Sequence, residues 1–254
     1  MSTALALRVV EGNARAYRRT WKGTVVTAFV NPLLFLLAMG QGVGSLVEQG
    51  VGAVSYIDFI APGLLAASAM QTAATESTWP IMAGIKWQKT YHAALATPIG
   101  VPDLVSGNLA WIAARTAMTC VAFAVVAGVL GAARFGGMLL ALPAAVLTGM
   151  AFAAPLVAFT AIAKNESRLS SIFRFAIIPM FLFSGTFFPI DQLPGWMQPI
   201  AYVTPLWHGV DLCRALALDL VPRLPALVHI AYLTAWIVLG WFLARRTLRK
   251  ALVI

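Results

Sequence analysis

Apolar residues along this chain gather into long runs that are separated by short polar or proline-containing segments. Six of the runs are each about 20 residues long, which is the length that a helix needs to cross a bilayer. The first run contains Asn31-Pro32, where a kink is expected because proline frees a carbonyl group. The pattern predicts an all-α polytopic membrane protein with six transmembrane helices. Their predicted bounds are 24–44, 56–78, 104–130, 138–163, 172–188 and 224–244.

The segment ahead of the first run is amphipathic and basic. Its charged residues recur at three- and four-residue steps and therefore share one face of a helix, whereas apolar residues share the opposite face. This pattern is typical of a helix that lies in the membrane interface with its cations near anionic headgroups. We therefore predict an interfacial amphipathic helix over 1–22. Its charged face comprises Arg8, Glu11, Arg15, Arg18, Arg19 and Lys22, and its apolar face Leu7, Val10, Ala14, Tyr17 and Trp21.

Two segments between the runs differ from ordinary loops. Residues 86–97 are semi-polar, and Pro98 disfavours helix at the residue before it, so a short helix is expected to end there. Residues 189–222 are too apolar for a free loop and are interrupted by prolines. We expect them to form short re-entrant helices in the outer leaflet, with Trp and Tyr at headgroup level. No repeat or low-complexity linker divides the chain, so 1–254 is interpreted as a single domain.

Composition supports lipid rather than water as the surrounding solvent. Hydrophobic residues make up 60% of the chain, charged residues make up 11%, and the mean hydropathy is +0.83. A soluble domain carries about 25% charged residues. The net charge of +9 would suit nucleic acid on a soluble protein, but no nucleic-acid-binding motif is present. Arg8 interrupts the first short apolar run, so no cleavable signal peptide is expected.

Lysine and arginine flank the six runs unevenly, and this asymmetry predicts the orientation. One side receives both terminal segments and the loops after the second and fourth runs. The other side receives only Arg134, Arg214 and Arg223, which acidic residues such as Glu48 balance. Both termini and the 86–97 helix are therefore predicted to be cytoplasmic, in a bacterial inner membrane. Beyond the first segment, the basic residues on that side are Lys86, Lys89, Lys164, Arg168, Arg174, Arg245, Arg246, Arg249 and Lys250.

Motifs for catalysis or metal binding are missing from the sequence. There is no Gly-Lys pair, and hence no nucleotide-binding loop, and no His-Glu-x-x-His motif. His92, His208 and His229 are scattered along the chain. Cys120 and Cys213 have neither metal-site nor disulfide spacing and are interpreted as packing residues. We expect this chain to bind no cofactor or metal and to contain no catalytic residue.

We single out two ionisable residues within the predicted spans. Arg115 lies about halfway along the third span, where a charge costs about 2.5–3.5 kcal/mol, so it should face protein or water. Glu76, near the cytoplasmic end of the second span, is a candidate partner. The two are interpreted either as a contact on a substrate path or as a structural pair between helices, and the sequence favours neither alternative.

Three stretches resemble those of a known family. They read FLFSGTFFPIDQLP at 181–194, PLWHGVD at 205–211 followed by Arg214, and YHAALATP at 91–98. These stretches are similar to those of ABC-2 type permeases, nearest to the nodulation-factor (lipo-oligosaccharide) exporters and their drug-exporter relatives. The resemblance covers essentially the whole chain. It implies six helices per subunit, a coupling helix between the second and third spans, and re-entrant helices before the sixth.

The resemblance also implies partners and sites. Two permease copies, a homodimer in membrane lipid, would work with two copies of an ABC ATPase that binds ATP and Mg²⁺. The cargo would be an amphipathic glycolipid, a lipo-oligosaccharide or a hydrophobic drug, exported from the cytoplasm or inner leaflet. The implied contacts with the ATPase are Lys86, Trp87, Thr90, Tyr91, His92 and Leu95. The implied outer gate comprises Phe188, Pro189, Asp191, Trp196, Pro205 and Trp207.

Two other classes of function stay open at this point. A membrane-embedded enzyme acting on lipids would need a cluster of acid, base or metal ligands near one interface, and the sequence shows none. A membrane scaffold that transports nothing is the other alternative. A neighbouring gene for an ATPase would favour the exporter over both.

Overall fold

Lipid offers no hydrogen-bond partners to the backbone, so a spanning segment must satisfy its N–H and C=O groups internally, as a helix does. The long apolar runs accordingly form helices in the computed structural model of the chain. The structure describes residues 3–44 and 54–253. Glu48, one of the acidic residues used to predict orientation, lies outside the described residues.

The described part of the chain is built from α-helices joined by short connections. In chain order they are α1 (Thr3–Tyr17), α2 (Trp21–Leu37), α3 (Tyr56–Glu76), α4 (Trp79–Met82), α5 (Thr90–Leu95), α6 (Val101–Val129), α7 (Phe135–Ile162), α8 (Glu166–Ile172), α9 (Ile178–Phe183), α10 (Gln198–Val203), α11 (Pro205–Leu218) and α12 (Ala226–Leu252). Three π-helical segments continue α2, α4 and α8, and a 3-10 helix follows α9. These are Ala38–Val43, Ala83–Trp87, Phe173–Ile177 and Ile190–Gln192.

Five helical segments of the described chain are long and apolar enough to cross a bilayer. They coincide with five of the six predicted spans, although two extend further. The second continues through α4 and its π-helical segment, and the last continues through the basic C-terminal residues, which therefore belong to α12. The five segments are Trp21–Gly40, Tyr56–Trp87, Val101–Val129, Phe135–Ile162 and Ala226–Leu252.

The predicted span 172–188 is the exception. Its helix begins at Glu166 and consists of α8, the π-helical segment and α9. Three charged residues, Glu166, Arg168 and Arg174, make it less apolar than the other five. It ends before Gly185, whose φ of +81° is a left-handed conformation that suits glycine and stops a helix. Five predicted spans are thus confirmed as apolar helices, and the span at 172–188 stays a prediction.

Helix α7 lies at the centre of the bundle and packs against α3, α6, α11 and α12. Its buried residues are mostly alanines. Lipid provides little hydrophobic drive between helices, so small residues that let backbones approach are favoured there. A Cβ atom on Gly149 would lie 2.9 Å from the backbone oxygen of Ala69, and one on Gly240 would lie 2.5 Å from the backbone nitrogen of Pro155. Both helix crossings therefore require glycine.

The two ends of the bundle differ in composition. At one end, which we call the basic end, α1, α5, the start of α6 and the ends of α7 and α12 share a hydrophobic cluster. The segment after α9 forms a separate cluster at the opposite end, beside the start of α3. The basic-end cluster includes Val9, Tyr91, Leu104, Ala161 and Leu248, and the opposite cluster includes Phe188, Ile190, Leu193, Ala201 and Trp207.

Helix α1 packs along α6, so its apolar residues divide into two groups. Val9 is buried against Gly107, where an added Cβ atom would lie 2.6 Å from the Val9 Cβ. Tyr17 packs edge to face on an aromatic ring of α6. Leu7 and Trp21, predicted to share a face with Tyr17, are instead 60% and 46% exposed. The interfacial position of this segment in the membrane stays a prediction.

Adjacent glycines near the start of α7 provide a matched test of the close packing. A Cβ atom on Gly137 would collide with the Ala217 carbonyl, whereas one on Gly136 would have no described atom within 4 Å. We expect Gly137→Ala to lower the free energy of unfolding by about 1–3 kcal/mol, because overpacking displaces backbone. Gly136→Ala should leave it unchanged or raise it, because alanine is the better helix former. Thermal unfolding in detergent measures both, and equal midpoints would contradict the packing described.

Candidate functional site

A stripe of polar side chains runs along one face of α3. Residues 59–67 of this helix are all buried, yet polar residues three and four positions apart remain at least partly accessible. This spacing places them on one helical face. Polar groups within a span face protein or a water-filled cavity rather than lipid. The stripe consists of Ser68, Gln71, Thr72, Thr75 and Glu76.

The polar stripe forms one wall of a cleft of about 410 Å³. Helix α2 supplies the facing wall and α6 a third wall. The volume falls within the range of about 300–1,000 Å³ that is usual for ligand sites. Hydroxyl and amide groups are interspersed with aromatic rings, so the lining suits a ligand that has both polar and apolar parts. Beyond α3, the lining includes Thr24, Thr27, Asn31, Phe35, Arg115, Thr119, Phe123 and Phe181.

Proline in α2 adds a polar backbone group to the cleft wall. Pro32 has no N–H, so the carbonyl of Ala28, one turn earlier, loses its usual helical donor. Both residues line the cleft. The kink expected at Asn31-Pro32 from the sequence thus falls on the cleft wall, although α2 continues through it as a helix.

Arg115 and Glu76 form an ion pair at the cleft. Nε and Nη2 of Arg115 each lie 3.1 Å from Oε1 of Glu76. The arginine side chain is only 7% exposed, and the glutamate 20%. Pairing spares each group the large cost of a lone charge removed from water. The structure therefore brings together the two ionisable residues that the sequence singled out.

An aromatic ring from α1 completes the surroundings of this ion pair. The guanidinium carbon of Arg115 lies 4.2 Å from the ring centroid of Tyr17, a cation–π distance. Tyr17 also packs edge to face on Trp111, one turn before Arg115. The sequence assigned Tyr17 only to the apolar face of α1, because a contact across ninety-odd residues leaves no local pattern. The paired charges cancel, so the cleft is polar without a net charge from this pair.

Lys86 is held within the chain at the basic end. Its Nζ donates hydrogen bonds of 2.6 Å to the Ala163 carbonyl and 2.7 Å to the Lys164 carbonyl. These carbonyls follow the C-terminus of α7, where a cation interacts favourably with the helix dipole. The predicted 86–97 helix is divided in the structure: Lys86 and Trp87 end the π-helical segment after α4, and α5 covers Thr90–Leu95.

Tyr91 faces inward from α5. The side chain is buried, and a Cβ atom on Gly84 would lie 2.8 Å from its ring. Its hydroxyl donates a 3.1 Å hydrogen bond to Oδ1 of Asn108 in α6. Burial raises the pKa of Tyr91, so the phenol stays protonated and remains a donor. Tyr91 therefore anchors α5 to the bundle.

The other residues predicted to contact an ATPase lie on the accessible side of this segment. Trp87 is 53% exposed, Thr90 and His92 are also exposed, and Leu95 is partly buried against the basic-end cluster. We call Trp87, Thr90 and His92 the docking face. An exposed tryptophan flanked by polar groups is typical of a protein interface.

The residues predicted as an outer gate form two groups at the opposite end. Phe188, beside Pro189, packs against the cluster that contains the buried Trp207, while Pro205 begins α11, with Thr204 as its N-cap. Asp191 and Trp196 are exposed instead. Asp191 accepts two hydrogen bonds, 2.9 and 3.2 Å long, from the guanidinium of Arg223. Trp196 is 71% exposed.

Arg214 ties this segment to the start of α3. Its Nη2 donates a 2.9 Å hydrogen bond to the Gly185 carbonyl, and its Nε donates a 3.2 Å bond to the Phe59 carbonyl. Its guanidinium carbon lies 3.8 Å from the Phe59 ring centroid. A Cβ atom on Gly63 would lie 2.9 Å from the Thr186 carbonyl oxygen, so the backbone of α3 and the segment after α9 are in close contact here.

Two histidines that are scattered in sequence meet in the structure. Nδ1 of His208 lies 2.9 Å from Nδ1 of His229, and Nε2 of His229 lies 3.1 Å from Oδ2 of Asp211. Both imidazoles are buried, and His208 stacks on Tyr232 with centroids 4.0 Å apart. No pattern in the sequence predicted this contact between α11 and α12. Among the described residues, no group of three or more His, Cys, Asp or Glu side chains is arranged to hold a metal ion.

Five long apolar helices in the described part of the chain indicate a multi-pass membrane protein, and comparison with known proteins gives its family. Residues 6–218 match the family described as ABC-2 type transporter. The chain is 33% identical to nodulation protein J of Rhizobium meliloti (strain 1021), over 95% of this chain and 91% of that protein. It is 34% identical to nodulation protein J of Rhizobium leguminosarum bv. trifolii over the same shares.

A more distant relative has a different name. The chain is 22% identical to the inner membrane transport permease YadH of Escherichia coli (strain K12), over 91% of this chain and 90% of that protein. The chain belongs to the ABC-2 type transporter family, which confirms the resemblance seen in the sequence. It is a membrane-spanning transport subunit and is not itself an ATPase; permeases of this family work with ABC ATPase partners.

Cysteine labelling tests whether the cleft admits water. Gln71 is exposed on the polar stripe, whereas Ala74, three residues further along α3, is 0% exposed. We expect Gln71→Cys to react with a water-soluble maleimide while Ala74→Cys does not. The native Cys120 and Cys213 are also 0% exposed and should give little background. Equal labelling of the two variants, measured by mass spectrometry in membranes, would contradict a water-accessible cleft.

Proposed function

We propose that this chain is the permease subunit of an ATP-driven exporter, which moves an amphipathic compound out of the cytoplasm or the inner leaflet. The observation that carries the proposal is a polar cleft walled by a helix that is otherwise exposed on the surface of the chain. Only 11% of the apolar stretch of the segment Trp21–Gly40, which includes α2, is buried within the chain. Its Thr24, Thr27 and Asn31 nevertheless line the cleft. A polar headgroup would enter the cleft while its apolar chain stays against α2.

The lining of the cleft supports a neutral, hydroxyl-bearing headgroup. Glu76 and Arg115 neutralise each other, so neither offers a free charge to an ion, whereas threonines, serine, glutamine and asparagine offer donors and acceptors. A glycolipid or lipo-oligosaccharide has this chemistry. Similarity to nodulation protein J along nearly the whole chain supports the same group of permeases. A hydrophobic drug is the second candidate, because Phe35, Phe123 and Phe181 also line the cleft.

On this proposal the energy comes from a separate subunit. An ABC ATPase, which binds ATP and Mg²⁺, sits on the docking face formed by Trp87, Thr90 and His92. Lys86 and Tyr91 hold that face from behind through their bonds to α7 and α6. Two permeases and two ATPases form the working complex. The basic end then lies in the cytoplasm of a bacterial inner membrane with both termini, in keeping with its lysines and arginines.

The opposite end serves as the outer gate in this proposal. Phe188 and Trp207 belong to the small cluster there, Pro189 is adjacent in sequence, and Arg214 links the same segment to the start of α3. A shift of α3 would therefore reach the gate through Gly185. The exposed Asp191–Arg223 pair would steady the rim rather than the closed cluster.

Two exposed tryptophans at opposite ends test the docking face. We expect Trp87→Ala to weaken binding of the partner ATPase by about tenfold or more, because tryptophan is enriched among interface hot spots, whose loss costs about 2 kcal/mol or more. Trp196→Ala, which removes a similarly exposed ring at the other end, should leave that binding unchanged. Co-purification and a titration of the ATPase onto the immobilised permease measure both. Weakening by Trp196→Ala alone would overturn the predicted orientation.

A reconstituted complex tests the cargo. We expect a neutral acylated oligosaccharide to raise ATP hydrolysis by the complex in proteoliposomes, and the same oligosaccharide without its acyl chain to have no effect. The acyl chain is needed because the cleft opens against the lipid-facing α2. Stimulation by apolar drugs but not by the acylated sugar would favour the second candidate. Chemical change of an added lipid without transport would instead favour a membrane-embedded enzyme.

A further inference from the structure

One buried amide joins three elements at the basic end. Oδ1 of Asn108 accepts a 3.1 Å hydrogen bond from Nδ2 of Asn13 in α1 and another 3.1 Å bond from the hydroxyl of Tyr91 in α5. Its Nδ2 donates a 2.9 Å bond to the Leu104 carbonyl of its own helix, α6. Asn108 is 3% exposed. Both lone pairs of one oxygen are thus occupied by donors from two different segments.

The backbone is shaped to bring these segments together. Gly107, beside the amide, lets α1 approach so closely that an added Cβ atom would lie 2.6 Å from the Val9 Cβ. Gly84 allows the Tyr91 ring to lie against the chain before α5. We call Asn13, Tyr91 and Asn108 the Asn108 node. In this buried position, loss of one partner leaves a polar group unsatisfied at a cost of about 1–3 kcal/mol.

The same pair of helices continues from the node to the cleft. Tyr17 follows Asn13 by one turn of α1, and Arg115 follows Asn108 by two turns of α6, so both lie on the faces that already touch. Tyr17 covers the Arg115 guanidinium, which in turn binds Glu76 on the cleft wall. A continuous set of contacts therefore runs from the back of the docking face to the cleft.

We propose that Asn108 is a positioning residue that makes α5, α1 and α6 move together, so that displacement of α5 reaches the Arg115–Glu76 pair. This inference rests on the proposed function, in which an ATPase moves α5. Without the node, α5 would contact the bundle through apolar side chains. Apolar surfaces slide past one another more readily than groups joined by hydrogen bonds do. The node thus sets how much of the ATPase movement reaches the cleft.

The test uses the complex of permease and ATPase in nanodiscs, with Gln71→Cys as a reporter of the cleft. The probe is a water-soluble maleimide, and its reaction rate is measured with and without ATP and Mg²⁺. We expect ATP to change this rate by about fivefold or more in the parent, and Tyr91→Phe or Asn108→Leu to bring the ratio within about twofold of one. Tyr56→Phe, which removes a hydroxyl bonded to the Phe187 carbonyl at the other end, is the control and should respond like the parent.

A double variant separates positioning from stability. Tyr91→Phe with Asn108→Leu replaces both partners of one bond by apolar groups, which restores much of the stability that Asn108→Leu loses alone. We expect its thermal midpoint to recover while the response to ATP stays lost. Recovery of both, or a parental response in either single variant, would overturn the role of the node. If the parent itself does not respond to ATP, the proposed function fails and the inference with it.

Discussion

The close approach of four helices to α7 is the constraint on which the rest of the structure depends. Because lipid offers apolar helices no net gain from meeting one another, the bundle requires small residues at its contacts, and the crossings at Gly149 and Gly240 show how little space is left. α3 and α6 are fixed by this packing, whereas α2 remains mostly exposed at the periphery. Polar residues on the outer face of α3 are therefore not sealed by a neighbouring helix, and the cleft lies where α2 faces them.

Two arginines near this framework are stabilised in different ways. Arg115 has a carboxylate and an aromatic ring as neighbours, so its charge is cancelled at the cleft. Arg214 contacts two backbone carbonyls and a ring, and through them it links the outer segment to α3. The first arrangement leaves the cleft polar but neutral, and the second joins the outer segment to α3. Both ends of the protein are thus connected through the same helix.

Much of the fold follows from the sequence because each apolar run had to become a helix. The predictions succeed for the long spans and for the pairing of Arg115 with Glu76, since few partners are available to a charge within lipid. The span at 172–188 stays a prediction, because charges at its start and the turn at Gly185 shorten its apolar part. Burial of Tyr91 and the bonds to Asn108 were missed: a single amide among apolar residues has no periodicity that would reveal its partners. Contacts of this kind are set by how the helices pack in three dimensions, and they leave no pattern in the sequence.

The pair of buried histidines provides an argument about function, because it is the arrangement nearest to an acid–base centre in the described residues. A catalytic imidazole must present a nitrogen to its substrate. Here the two Nδ1 atoms face each other, Nε2 of His229 lies beside Asp211, and the ring of His208 is stacked on Tyr232. Exposures of 5% and 0% leave a lipid headgroup little access to either ring. The cleft, in contrast, is accessible but contains one neutralised ion pair and groups that do not titrate near neutral pH. In the described residues, the accessible cleft and the buried imidazoles thus occupy different parts of the molecule.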